Sequence, residues 1–329
     1  MTRSAGTAAT DNPLTEFEWT MVTVSDIAHP ATDIVSLTLH ACDDSRLPAW
    51  SPGAHIDIEL DTDLVRQYSL SGVPGTPDWR IAVLLEPESR GGSVRAHRLH
   101  VGDKLRVRGP RNHFRLERAD EYIFIAGGIG VTPVLPMVHH VEASRVPWVL
   151  HYGGRSRSSM AFTEELARYG DKVRLYPQDE VGILDVPEIL GDGRAGVGVY
   201  CCGPNGLLSA AEAATASWPR DSLHVERFSP AEPVGPRAGD TTFDVECRLS
   251  GVTVTVGAEE TILEAMERTG GVITAASCRE GTCGTCEATV IEGIPDHRDS
   301  VLTDTEREAE DVIMTCVSRA HTPRLVLDL

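Results

Sequence analysis

The chain of 329 residues reads as a multidomain protein combining α+β and α/β classes. We expect an antiparallel β-barrel, then a parallel α/β domain, then a small C-terminal domain built around a cysteine-rich loop. Three observations predict this order. Short strands of alternating polarity follow one another closely over roughly the first third of the chain. Long apolar strands then alternate with helical stretches, the signature of a parallel sheet. Last, a Pro- and Gly-rich stretch precedes a loop holding three of the eight cysteines.

Residues 1–17 are small and polar and predict a frayed tail. From Trp19 the period-two strands begin. Thr20–Val24, Ile34–Leu39 and His55–Leu60 alternate apolar with polar, and Gln67–Leu70, Arg80–Leu85 and Lys104–Val107 continue the series with Gly and Pro between them. This defines a barrel domain over 18–118. Near Asp120 the texture changes. Tyr122–Ala126 and Val146–Tyr152 are continuous apolar runs of the kind buried on both faces of a sheet. A helix is expected through Val141 and another from Phe162 to Tyr169, with strands at Val173–Tyr176 and Gly198–Cys202, so a second domain covers 119–228. Residues 229–240 carry Pro and Gly without apolar periodicity and read as a semi-rigid linker. A hairpin (Phe243–Leu249, Val252–Val256) and a helix (Ile262–Arg268) then lead into the cysteine loop of the domain 241–329.

That loop is the most specific feature. Cys278, Cys283 and Cys286 are spaced C-x₄-C-x₂-C, and Cys316 follows one strand-loop-strand later. This is the ligand spacing of a plant-type [2Fe–2S] cluster, four thiolates on two irons. Gly281 and Gly284 let the backbone wrap tightly and aim N–H groups at the sulfur atoms. A structural zinc site would pair two short knuckles instead. Cys42, Cys201, Cys202 and Cys247 form no paired framework, which suits a reducing cytoplasm.

Composition narrows the partners. A formal net charge of −19 argues against nucleic acid and anionic membrane. No apolar run is long enough to span a bilayer, and the N-terminus has no export pattern. From Thr241 to Leu329 there are 17 acidic and 7 basic residues, a face that either aids solubility or steers a basic electron-transfer partner.

Upstream, three motifs look able to hold cofactors. On the strand Arg66-Gln67-Tyr68-Ser69-Leu70, alternation sends Arg66, Tyr68 and Leu70 one way and Gln67 and Ser69 the other. A guanidinium beside an aromatic ring suits a planar ring and a phosphate, and an ordinary surface strand has the same pattern. Ser89-Arg90-Gly91-Gly92-Ser93 offers glycines, a hydroxyl and a cation, either for an anion at a helix start or as a plain loop. Gly127-Gly128-Ile129-Gly130-Val131-Thr132-Pro133 joins a buried strand to a helix, so a pyrophosphate can approach the helix N-terminus, although the spacing is not G-x-G-x-x-G. Cys202-Gly203-Pro204 ends a later strand, and both helix starts are expected at one crevice. Arg155 and Ser156 follow the strand ending at Tyr152, either to meet an adenosine ribose or its 2′-phosphate or as part of a solvated basic loop.

With these motifs in this order, the chain resembles the phthalate dioxygenase reductase family, vanillate demethylase reductases included, over roughly residues 18–329. His297-Arg298-Asp299-Ser300-Val301-Leu302 also looks like the family. The resemblance implies a ferredoxin–NADP⁺ reductase-like flavin barrel, a nucleotide domain and a C-terminal β-grasp ferredoxin domain. It implies an FMN site from Arg66, Gln67, Tyr68, Ser69, Leu70, Leu84, Arg90, Gly91, Gly92 and Ser93, with Arg66 and Gly92/Ser93 near its phosphate. FMN rather than FAD is a family trait here, since sequence physics does not separate them. It implies a nucleotide site from Gly127, Gly128, Gly130, Thr132, Arg155, Ser156, Cys202, Gly203 and Pro204, for NADH by family habit with NADPH left open. Ser69, Thr132, Cys202, Glu226 and Phe228 are expected around the hydride path, and Cys278, Cys283, Cys286 and Cys316 hold the metal. A nicotinamide gives two electrons as hydride, a [2Fe–2S] cluster takes one at a time, and a flavin converts between them. The implied acceptor is a Rieske-type terminal oxygenase or O-demethylase acting on an aromatic compound. A reductase for a cytochrome P450 and a redox sensor are the alternatives, and a cytoplasmic monomer is expected.

Overall fold

The computed structural model describes residues 18–329 apart from Asp44, Asp63, residues 87–89 and Ile273. The expected tail, 1–17, and Ser89 lie outside the described residues.

Period-two alternation becomes a curled antiparallel sheet of β1 (Thr20–Ala31), β2 (Ile34–Ala41), β3 (His55–Asp61), β4 (Leu64–Ser69), β5 (Trp79–Leu84) and β6 (Lys104–Arg111), with the short helix α1 (Gly92–Ala96) beside it. Its strand order is β4-β3-β6-β1-β2-β5. An isolated bridge from Leu70, just past β4, to Ile81 of β5 draws the two ends together. Val22, Leu37, Leu39, Ile56, Ile58 and Val107 fill the interior. β1 runs well beyond the expected Val24, because β2 pairs with it as far as Ala31 through two register shifts.

The apolar runs form a second, parallel sheet: β7 (Glu121–Gly127), β8 (Trp148–Gly154), β9 (Val173–Pro177), β10 (Val197–Cys202) and β11 (Leu223–Glu226), in the order β11-β10-β7-β8-β9. Helix α2 (Val131–Ser144) follows β7, and α6 (Asn205–Thr215) follows β10. Between β8 and β10 lie three short helices, α3 (Thr163–Leu166), α4 (Gln178–Val181) and α5 (Val186–Leu190). The helix expected to Tyr169 is α-helical only to Leu166; a 3₁₀ segment continues to Lys172 across a kink at Gly170. The chain moves from β7 to β8 on one side and places β10 on the other. The loops after β7 and β10 therefore flank a topological switch point, where open α/β sheets bind ligands.

The third sheet, ordered β13-β12-β18-β14-β16, comprises β12 (Phe243–Cys247), β13 (Val252–Val256), β14 (Glu287–Glu292), β16 (Val312–Met314) and β18 (Arg324–Leu327). β12 and β18 run parallel, and β13, β14 and β16 add antiparallel. Helix α7 (Ile262–Thr269) starts at a Thr261–Glu264 capping box and buries Ile262, Leu263, Ala265 and Met266. A two-stranded ribbon of β15 (Pro295–Asp296) and β17 (Arg319–Ala320) and the short helix α8 (Asp304–Ala309) complete it.

Polar contacts join the three sheets. Arg80 on β5 donates to Glu165 at 3.0 and 3.3 Å and lies over the Phe162 ring at 4.8 Å, and His139 of α2 contacts the same carboxylate. Residues 229–240 form no helix or strand. They are nonetheless pinned: the Ala231 N–H donates to Ser300 Oγ at 3.0 Å, and Asp240 pairs with Arg298 at 2.6 Å.

Candidate functional site

The strand Arg66–Ser69 is the meeting point. Tyr68 and Arg66 stand in register with Ile56 and Ile58 of the barrel core, and Ser69 and Gln67 with His55 and Asp57 on the other face. Arg66 spans the start of α1: its guanidinium donates to the Arg90 carbonyl at 3.0 Å. A Cβ on Gly92 would lie 2.6 Å from Arg66 Cγ, so only glycine lets the arginine lie across this loop. Gly91 at the helix start has φ 93°, and Ser93 accepts the Glu86 N–H at 3.1 Å. Guanidinium, glycine cradle and helix start fit a flavin phosphate. Burial pushes the Tyr68 hydroxyl up to about 12, so the ring stays neutral.

Three expected contacts differ. Leu70 is completely buried within the barrel core, and its N–H donates to the Ala54 carbonyl at 2.8 Å. Leu84 packs instead beside the cluster that includes α2. Arg90 turns its guanidinium outward to Glu280 in the cysteine loop, at 2.5 and 3.0 Å.

Across the crevice, Ser69 Oγ donates to Glu226 Oε2 at 3.3 Å, joining β4 to the end of β11. Glu226 stands in register with Cys202. Burial pushes the Glu226 carboxyl up to about 8, against the Ser69 hydrogen bond, which lowers it. Burial, and then the neighbouring Glu226 charge, raise the Cys202 thiol and keep it protonated. The glycines here answer to space. A Cβ on Gly130 would sit 2.3 Å from the Cys202 carbonyl oxygen, and one on Gly127 2.8 Å from Pro204 and Leu207. Gly203 packs against Gly127 in return, while Gly128 faces open space. Helix α2 begins with no acidic residue in its first turn. Glycine-lined backbone at the start of a 14-residue helix fits a pyrophosphate. Buried Thr132 gives its hydroxyl to the Ile129 carbonyl at 2.9 Å. Phe228 is 47% exposed, beyond the end of β11. Arg155 is exposed and Ser156 half-buried after β8, and the adjacent Arg157 is taken up by Glu180 at 2.8 Å.

In the third sheet the four predicted cysteines converge. The Cys278 thiol lies against Cys283 and Cys316, and Cys286 against Cys316. Those two sulfur neighbours, together with the Thr282 and Glu280 N–H groups at 3.5 and 3.3 Å, hold the Cys278 thiol far below its usual range. The four thiols form one chain of contacts, Cys283–Cys278–Cys316–Cys286, and so bring together the four-thiolate set that a two-iron cluster needs. Asp299 of the His297–Leu302 segment accepts the Val301 and Leu302 N–H groups, and the Ser300 N–H donates to the Gly281 carbonyl. That segment braces the cysteine loop from behind.

Two features were not foreseen. Asp57, fully buried, is clamped by Arg108 at 2.7 and 2.9 Å and by Arg111 at 2.7 Å, and Gln67 adds a fourth bond at 2.9 Å. Asp57 falls on the polar phase of its alternating strand, between His55 and Glu59, so the pattern alone does not single it out. Second, the barrel covers the cysteine loop: His55 hydrogen-bonds the Cys283 backbone, and His113 lies against Gly284, whose Cβ would fall 2.1 Å from its ring. Nothing local in the sequence foretells that pairing.

Comparisons with known proteins agree with this arrangement. The 2Fe-2S iron-sulfur cluster binding domain matches residues 245–321. The chain is 42% identical over 307 residues to phenoxybenzoate dioxygenase subunit beta of Ectopseudomonas oleovorans, covering 92% of this chain and 95% of that protein. Among solved structures it matches phthalate dioxygenase reductase, a modular structure for electron transfer from pyridine nucleotides to [2Fe–2S], with TM-score 0.68 and 32% identity over 94% of this chain and 98% of that one. It also matches an intact type IV self-sufficient cytochrome P450 monooxygenase with TM-score 0.89 and 47% identity, covering 94% of this chain but 41% of that longer one.

Proposed function

The chain belongs to the oxygenase-reductase family that includes phthalate dioxygenase reductase, and from that membership we propose that it moves electrons from NADH through FMN and a [2Fe–2S] cluster to a Rieske-type terminal oxygenase. It is an oxidoreductase with flavin, pyridine-nucleotide and iron–sulfur modules. FMN as the flavin, NADH as the donor and the Rieske identity of the acceptor are the finer parts of the proposal. So are the domain limits 18–118, 119–228 and 241–329 with the linker 229–240, and the residue roles below.

One observation carries the reading. β4 touches both the parallel sheet and the cysteine loop, through Ser69 to Glu226 and through Gln67 to Ser277, next to Cys278. A flavin bound along this strand would accept hydride from one side and pass single electrons to the other. Arg66 and the Gly91-Gly92-Ser93 loop would bind its phosphate. The backbone of 127–130 and 202–204 would hold the nucleotide pyrophosphate. Ser69, Cys202 and Glu226, with Thr132 behind them, would shape the nicotinamide pocket, and Cys278, Cys283, Cys286 and Cys316 would ligate the irons. Uncharged Glu226 and Cys202 keep that pocket free of negative charge near neutral pH. No acid or base need act on the transferred hydride; distance and orientation are the protein's contribution. Among the described residues no helix is long and apolar enough to cross a membrane.

The test is anaerobic mixing of the purified protein with NADH and, separately, NADPH while the flavin and cluster bands are followed. Flavin bleaching followed by partial loss of cluster absorbance supports the reading. A protein with no flavin band, or with a cluster that stays oxidised under excess nucleotide, refutes it. Chromatography of the released flavin separates FMN from FAD. A second reading, delivery to a cytochrome P450, is favoured by the 47% identity to the self-sufficient monooxygenase. Reconstitution with a Rieske oxygenase and with a P450 heme domain compares the two acceptors directly.

A further inference from the structure

The second residue of the Arg66–Ser69 strand points away from the face that Arg66 and Tyr68 share. Gln67 Nε2 donates twice: to Asp57 Oδ1 at 2.9 Å and to Ser277 Oγ at 2.5 Å. A carboxylate can only accept, so the amide must turn its NH₂ towards Asp57, and its second hydrogen is then aimed at Ser277. Asp57 cannot shift to relax this, because Arg108 and Arg111 hold both of its oxygens in a site closed to solvent. The amide is thus a rigid post carried by the barrel, and it grips the residue immediately before Cys278. The neighbouring contact has a different character: Arg90 and Glu280 pair with the arginine side chain 63% exposed, so salt screens that pair.

We propose that Gln67 is a positioning residue for the cysteine loop: its hydrogen bond to Ser277 docks the [2Fe–2S] domain on the flavin strand, and its side chain serves electron transfer to the cluster rather than flavin binding. This rests on the electron-transfer reading above and adds the residue pair that aligns the second step. The amide donor is fixed from behind by a buried ion network, so losing the Ser277 hydroxyl leaves that donor unmatched and weakens docking.

Ser277→Ala, Ser277→Thr, Gln67→Leu and the Gln67→Leu/Ser277→Ala double variant of the intact holoprotein test it. Two readouts are used: anaerobic stopped-flow with NADH, and hydrogen exchange of residues 277–284. Ser277→Ala should slow cluster reduction about fivefold to tenfold, the population shift expected from one lost hydrogen bond, while the flavin phase keeps its rate. Exchange in 277–284 should rise in the same variant. Ser277→Thr, which retains the hydroxyl, should restore both. The double variant should be no slower than the worse single one. Unchanged cluster reduction and exchange in Ser277→Ala overturn the proposal, as does a fully additive double variant. Loss of flavin from Gln67→Leu with exchange unchanged also overturns it, returning Gln67 to the flavin. Failure of the electron-transfer reading looks different: the unmodified protein then shows no second phase, while hydrogen exchange still reports whether the pair docks the loop.

Discussion

Glu226→Gln probes the crevice between β4 and β11. In the unfolded chain the carboxyl titrates at its ordinary value of 4.5, and in the folded protein burial raises it to about 8. Between those values the folded chain keeps a proton that the unfolded chain has lost, so stability falls as pH rises. The contribution is fully present below pH 4.5 and is lost as pH climbs through 8. The whole shift corresponds to an upper bound of about 5 kcal/mol, and linkage places roughly 2.5 kcal/mol of it between pH 6 and pH 9. Glutamine has the same shape, still accepts the Ser69 hydrogen bond and does not titrate. Chemical denaturation of wild type and Glu226→Gln at pH 6 and pH 9 isolates the effect, because every other titrating group is common to both. The wild type should lose about 2.5 kcal/mol more than the variant over this interval. If the two proteins change in parallel, Glu226 is not a neutral acid in this crevice and the proposed uncharged nicotinamide pocket falls with it.

Asp57→Ala should destabilise the barrel by about 3–5 kcal/mol, because Arg108 and Arg111 lose the carboxylate they share in a closed site; denaturant unfolding measures it, and a loss under 1 kcal/mol contradicts the network. Gly130→Ala should abolish nucleotide-driven flavin reduction while leaving the flavin and cluster colour, since its Cβ would meet the Cys202 carbonyl at 2.3 Å. Wild-type kinetics with NADH would remove that loop from the site. Cys316→Ser should strip iron and the cluster absorbance yet leave flavin reduction by NADH intact, read by metal analysis and the visible spectrum. Hydrogen bonds from His139 and Arg80 outweigh burial and bring the Glu165 carboxyl down to about 2, so its stabilising contribution is present above pH 4.5 and lost as pH falls towards 2. Arg80→Met should be less stable than wild type at pH 7 by about 1–3 kcal/mol, and the gap should narrow in acid, as thermal melts across that range would show.

Local signals in the sequence match what the structure displays locally. Alternation marked the barrel strands because each has a face in a single core, and continuous apolar runs marked β7 and β8 because residues from both of their faces pack into core. The cysteine loop was legible because four thiolates impose their own spacing. Side-chain direction at cofactor sites was less so. Leu70 was expected beside Arg66 and Tyr68, yet past the end of β4 the chain bridges to β5 and its side chain enters the core. Arg90 was expected at the cofactor, and its partner Glu280 lies 190 residues away. The Asp57 cluster draws on β3, β4 and β6, and no window of sequence holds all four of its members. The proline-rich segment 229–240 signalled the absence of regular structure but not its anchorage, which depends on Arg298 and Ser300 from beyond the cysteine loop.

The period of a β-strand explains how four consecutive residues can serve three modules. Successive side chains leave opposite faces, so Arg66 and Tyr68 line one side of β4 while Gln67 and Ser69 line the other. The first pair stays within the barrel and its glycine loop. The second pair leaves it, Ser69 reaching the nucleotide sheet and Gln67 the cysteine loop. β4 is an edge strand, with β3 its neighbour in the sheet, which gives its outward side chains room to meet foreign domains. A residue inserted between Tyr68 and Ser69 would reverse the face of one pair member and not the other, separating Ser69 from Glu226 while Gln67 still holds Ser277. Such a protein should lose rapid reduction by nucleotide but still pass electrons between flavin and cluster when a chemical reductant replaces NADH. Failure of both steps together would mean that the strand acts as one rigid unit and that Ser69 and Gln67 carry no separate duties.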